Sequence, residues 1–242
     1  MDLDEEQILD YLHILKSQHR TPSDSFFKHT VYGLRYAYRI SGMKEMRVIL
    51  PSIERPKKLP VVLGHNEVRQ LLKAPKLLKH RLVLAMLYGC GLRSFELCNL
   101  QLKDLDLERK MLHVRQGKGR KDRYVPLCAM QVRGLRKYIS AERPVTWCFN
   151  GNDSKGGPVA LSARGVQWIV KEARKHSGIQ KEVTTHSLRH SYATHLLEMG
   201  LDIMSVKDLL GHADIQTTLT YLHVAQLGRQ RPFSPLERLY DK

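Results

Sequence analysis

Between Thr184 and Val224 the chain reads THSLRHSYATHLLEMG, breaks briefly, and resumes SVKDLLGHADIQTTLTYLHV. Its apolar spacing is that of well-made helix, and this restricts the fold more than any other stretch. Leu188, Tyr192, Leu196 and Met199 recur at near-helical intervals and give the first helix a buried side. Gly200 ends it as a left-handed cap glycine does. A second helix runs Ile203–Leu210 and stops at Gly211-His212, leaving an imidazole at a helix end. Asp214 caps a third, with Tyr221 on it just over two turns beyond the cap. Three short helices thus offer His186, Arg189, His190, His212 and Tyr221, with His186 and Arg189 sharing one face. Singly, each reads equally well as a polar residue of a basic helical protein. Together they suit a phosphodiester better than other common substrates.

The charge balance agrees. Lys plus Arg number 40 against 24 Asp plus Glu, a formal net charge of +16. The surplus is spread along the chain, which fits a broad groove for duplex nucleic acid better than a basic tail. No run of apolar residues is long enough to cross a membrane, and the acidic start MDLDEE is unlike a secretory signal. A cytoplasmic protein is expected. Cys90, Cys98, Cys128 and Cys148 lie far apart with no C-x-x-C pair, which reads as buried free thiols and not a zinc site.

Along the chain, residues 4–19 and 25–41 read as two helices, the first with an apolar stripe of Ile8, Leu9, Leu12 and Leu15. The proline-rich basic segment PSIERPKKLP reads as an extended linker, so residues 1–50 form a small helical unit that leans on a partner or on DNA, 51–62 the linker and 63–242 a second domain. Residues 79–88 form an apolar, deeply buried helix; Gly89-Cys90-Gly91 breaks it. Arg93 then opens another helix, a rigid place for a cation, with Glu96 either orienting its guanidinium or balancing its charge. Residues 111–115 and 123–127 read as a hairpin whose cationic tip, residues 116–122, carries Lys118, Arg120 and Lys121, with Arg123 at the start of the second strand as a further DNA-binding candidate. It lacks the order and the following helix of a P-loop. Trp147-Cys148-Phe149 reads as a third strand. Ser162 caps a helix through His176 whose Arg164, Lys171, Arg174 and Lys175 form a DNA-facing side. The fold class is mainly α with a small antiparallel β-sheet.

Cleaving a DNA backbone without metal needs a nucleophile, donors for two non-bridging oxygens, and an acid for the leaving alkoxide. Arg93 and Arg189 suit the second task, because a planar guanidinium bonds phosphate oxygens in pairs and keeps its charge. His212 can add a donor. Such preorganised donors are typically worth about 3 kcal/mol each when removed singly. Tyr221 suits the first task, with surrounding cations helping a phenol of ordinary pKa about 10 to ionise. His186 is placed to take its proton and Lys118 to protonate the departing 5′ oxygen. No carboxylate set with metal spacing accompanies them, so no metal or cofactor is expected.

The motifs Leu92-Arg93-x-x-Glu96-Leu97, Gly117-Lys118-Gly119-x-Lys121-x-Arg123, His186-x-Leu188-Arg189-His190-x-x-Ala193-Thr194 and Leu210-Gly211-His212, with Tyr221 nine residues on, resemble the tyrosine recombinases, the phage integrase family, in the style of its Xer-like members. The resemblance covers about residues 60–225. It implies a tyrosine recombinase catalytic domain that breaks and rejoins DNA through a 3′-phosphotyrosine link, without metal or ATP, within a tetramer on paired duplex sites. Arg93 and Arg189 would bind the scissile phosphate, Lys118 act as acid, His186 as base, His212 assist, and Tyr221 attack. Residues 233–240 would dock on a neighbouring protomer. One departure stands out: only about fifty residues precede the linker, where the family has about a hundred. A relaxing enzyme of the type IB topoisomerase kind, or an idle DNA-binding relative, is the alternative.

Overall fold

A computed structural model describes residues 5–18, 24–43, 60–115, 122–152 and 157–225. The chain divides into two compact units, Met1–Lys58 and Leu59–Lys242. In the first, α1 (Glu5–Gln18) and α2 (Asp24–Ile40) enclose a small core of Ile8, Val31 and Tyr38. Leu9, placed on the apolar stripe from its spacing, is 41% exposed.

The second unit is built round α4 (Leu78–Gly89). Leu82, Val83, Leu84, Met86 and Leu87 are all buried, so the helix shows no single apolar stripe. The reason is its position, packed against α3 (His65–Lys73), α5 (Ser94–Cys98), α6 (Ala129–Glu142), α7 (Ala163–Ser177) and α8 (Thr185–Glu198). Each such side chain contributes about 1.5–3 kcal/mol when fully buried.

Side-chain caps fix where the later helices start. Ser162 Oγ accepts from Gly165 N, Thr184 Oγ1 from Ser187 N and Asp202 Oδ1 from Ser205 N. The last begins α9, Ile203–Leu210. The third short helix is shorter than its cap suggests: α10 spans only Gln216–Leu219, and Tyr221 follows it in a turn. Thr217, Thr218 and Thr220 are β-branched and favour helix weakly, and the Thr218 hydroxyl is drawn to His212 instead.

β1 (Leu105–Asp106), β2 (Met111–Val114) and β3 (Arg123–Pro126) form an antiparallel sheet in that order. Val114 pairs with Arg123 and Leu112 with Val125. The expected third strand at 147–149 is displaced: Trp147 makes one isolated bridge with Gln101, and β4 (Asn150–Asn152) pairs with β5 (Pro158–Ala160). Cys90 and Cys148 are buried thiols pushed up to about 12 by desolvation, whereas Cys128 is exposed, contrary to the expectation for all four. Among the described residues no helix is long and apolar enough to cross a membrane.

Candidate active site

The site is organised by a buried carboxylate and by the end of one helix. Arg93 is the N-cap of α5, and its backbone N–H donates to Glu96 Oε2 at 2.9 Å. The same side chain curls back, Nη1 donating to Glu96 Oε1 at 2.8 Å. Arg123 donates to both oxygens of Glu96, at 2.9 and 2.7 Å, and Arg189 Nη1 lies 3.8 Å from Oε2. Of the two readings open for Glu96, the orienting one is what the geometry supports. Burial would raise its carboxyl, but Arg123 above all, with Arg93 and Arg189, holds it down to about 2.

Three successive carbonyls at the end of α9 take the other sides of these arginines. Arg123 Nε donates to Leu209 O at 2.7 Å, Arg189 Nη2 to Leu210 O, and Arg93 Nη2 to Gly211 O at 3.5 Å. These are the acceptors that a helix leaves unpaired, at the negative end of its dipole. Arg189 also donates to Gly91 O. Gly91 has φ +57°, and a Cβ there would lie 2.4 Å from the Tyr192 ring. Glycine is therefore what lets this carbonyl reach the guanidinium.

Tyr221 enters from the turn after α10 and is 3% exposed. Its hydroxyl lies 3.1 Å from His190 Nδ1. The His212 ring stacks over it, centroids 6.2 Å apart, with Nδ1 held by Thr218 Oγ1 at 2.9 Å. Desolvation lifts the phenol above its ordinary value while Arg189 and Arg93 pull against that. Desolvation and neighbouring cations hold both His190 and His212 down to about 4, so both rings are neutral near pH 7.

Of the residues expected from the sequence, Arg93, Arg189, His212 and Tyr221 converge on one point. His186 does not touch the phenol. It is exposed on α8, its ring centroid 6.3 Å from that of His190, and His190 occupies the place at the hydroxyl. The helical period explains this: His190 lies one turn further along the same face, level with Tyr221. Lys118, Arg120, Lys121 and residues 233–240 lie outside the described residues. Arg123, expected to contact DNA, is instead 9% exposed and clamped on Glu96. Strand alternation puts it on the inward face with Val125, so it supports the site from beneath. Arg164, Lys171 and Lys175 are exposed along α7, and Arg174 is half-buried, Nη2 donating to Gln180 O at 3.0 Å.

A helical domain that brings two anchored guanidiniums, neutral imidazoles and a phenol to one point has the fold and site of an enzyme that moves a phosphodiester through a tyrosine. The chain belongs to the phage integrase family, whose sequence model matches residues 61–227. The tyrosine recombinase XerA of Thermococcus onnurineus is 39% identical over 196 residues, 80% of this chain and 69% of its own length. A tyrosine recombinase of Pseudothermotoga lettingae is 32% identical over 249 residues, 100% of this chain and 84% of its own. Among solved structures, the XerA recombinase superposes with a TM-score of 0.66 at 28% identity, covering 96% of this chain and 84% of that one. The XerH site-specific recombinase bound to its difH substrate superposes with 0.73 at 25% identity, covering 91% and 67%.

Proposed function

We propose that this tyrosine recombinase breaks and rejoins double-stranded DNA at specific sites, with Tyr221 as the nucleophile that forms a 3′-phosphotyrosine link. Arg93, Arg189 and His212 hold the scissile phosphate and stabilise the charge that builds on its oxygens. His190 receives the phenolic proton, and His186, one turn earlier at the surface of α8, passes it on to solvent. Lys118 protonates the 5′ oxygen as it leaves. The new bond keeps the energy of the old one, so the free 5′ hydroxyl of a second strand can reverse the step without ATP. Paired exchange of this kind calls for a tetramer on two DNA sites. The net charge of +16 and the exposed cations of α7 suit a duplex.

The observation that carries this reading is the Tyr221 hydroxyl, set 3.1 Å from His190 Nδ1. A duplex nicked beside the cleavage point traps the covalent adduct, because the short product diffuses away before religation. The wild-type chain should become linked to DNA, and Tyr221→Phe should not. An adduct that survives Tyr221→Phe would assign the nucleophile elsewhere.

A further inference from the structure

Beyond Arg189 along α8, a second group of side chains gathers outside the phosphate site. His195 and Glu198 stand three apart on α8 and share a face. His65 opens α3. One ligand atom from each of the three lies within 4.8 Å of the other two. The two imidazoles stack, centroids 4.0 Å apart and planes inclined by 26°. His195 is buried, Glu198 half-buried and His65 exposed, so the group runs from the core to the surface.

We propose that His65, His195 and Glu198 bind one divalent ion of the zinc class, which ties the start of α3 to α8.

Two imidazoles and a carboxylate form a ligand set that zinc takes, with a fourth position left to water. His195 Nδ1 lies 2.9 Å from the Tyr88 hydroxyl. With Nδ1 engaged by that hydroxyl, the tautomer is fixed and the other ring nitrogen keeps its lone pair for the ion. Tetrahedral bonds of about 2.0 Å put ligand atoms about 3.3 Å apart, so the group closes by about 1.5 Å at most. His65, exposed, and Glu198, half-buried, make that closure by turning their side chains. His195 stays where it is.

The placement gives the ion a task. Leu63 N already donates to Ser191 Oγ at 2.9 Å, tying the segment before α3 to α8. A metal bridge adds a second tie to the helix that also carries Arg189 and His190. Its role is to hold that helix, and it takes no part in phosphoryl transfer.

The test uses the full chain, freed of any affinity tag and stripped with a chelator, then titrated with cobalt(II). One equivalent should produce a visible ligand-field band, zinc should bleach it, and both ions should raise the unfolding midpoint. His65→Asn and Glu198→Gln should each weaken cobalt binding by at least about 10–100-fold, the loss typical even of an outer partner. Both should leave the metal-free midpoint near that of the parent chain. His176→Asn, at another exposed histidine, should change nothing. An absent band, a band unchanged in His65→Asn, or unsaturable binding of several equivalents would each overturn the assignment. The readout is binding, so the outcome is independent of whether Tyr221 attacks DNA.

Discussion

Arg123 meets Glu96 fork to fork, Nη1 on Oε1 at 2.9 Å and Nη2 on Oε2 at 2.7 Å, at the carboxylate that Arg93 and Arg189 also approach. The pair is almost wholly inside the protein, side chains 7% and 1% exposed. Removing one member of a buried pair strands the other, at a cost of about 3–5 kcal/mol. Glu96→Gln should therefore lower stability by about that amount in urea unfolding and also slow adduct formation. Loss of adduct with unchanged stability would show that Glu96 acts on Arg93 and Arg189 alone.

Acid should weaken the fold in two stages. His190 and His212 are held down to about 4, below an ordinary value of 6.5, so the unfolded chain binds more protons between those limits. Their contribution is complete above pH 6.5 and falls away as pH drops through 4. Glu96 is held down to about 2 against 4.5, so its contribution is complete above pH 4.5 and disappears towards pH 2. Unfolding midpoints measured from pH 7.5 downwards should begin to fall near 6.5. In His212→Asn the upper stage should shrink.

The two histidines of α8 differ in what they touch, which gives a kinetic test. His190→Ala should slow cleavage of the nicked duplex by about 10²–10⁴-fold, the usual worth of a positioned proton acceptor. His186→Ala should cost less in the first proton transfer, because its ring does not reach the phenol. The reverse order in single-turnover rates would return the base to His186.

Gly91→Ala combines a positive φ of +57° with a Cβ only 2.4 Å from Tyr192. The left-handed backbone costs about 1–2 kcal/mol and the crowding about 1–3 kcal/mol more. A clearly lowered melting temperature is expected, together with weaker phosphate binding, since the Gly91 carbonyl is an anchor for Arg189.

Charge removal on α7 should separate its cations. Lys171→Ala and Lys175→Ala are expected to weaken duplex binding alike on all sequences and to lower the salt slope by about one each, with little change in stability. Arg174→Ala should instead cost stability, because its guanidinium is used on Gln180 O. Binding titrations at several salt concentrations distinguish the two.

The parts legible in the sequence are those set by short-range rules. The apolar run of α4, the Ser162 cap and the Gly211 stop each follow from local chemistry, and the structure has helices where they lie. Arg93, Arg189, His212 and Tyr221 could be picked out because their spacing with respect to helix ends carries information. What escaped depends on which face meets which partner. Arg123 reads as a hairpin cation until β2 pairing turns it inward to Glu96, 27 positions away. His190 and His186 have the same composition and neighbourhood in the chain, and only the turn after α10 decides between them. His65 and His195 lie 130 positions apart, with no motif to join them.

The closing residues of α9 have a consequence for genetics. Leu209, Leu210 and Gly211 each hold a different arginine by main-chain oxygen, so the grip does not run through the two leucine side chains, while any tilt of the helix loosens every grip together. Defects introduced separately around this rim should overlap instead of summing, and a double variant should be scarcely worse than its more damaged parent. The rim would be inherited as one part.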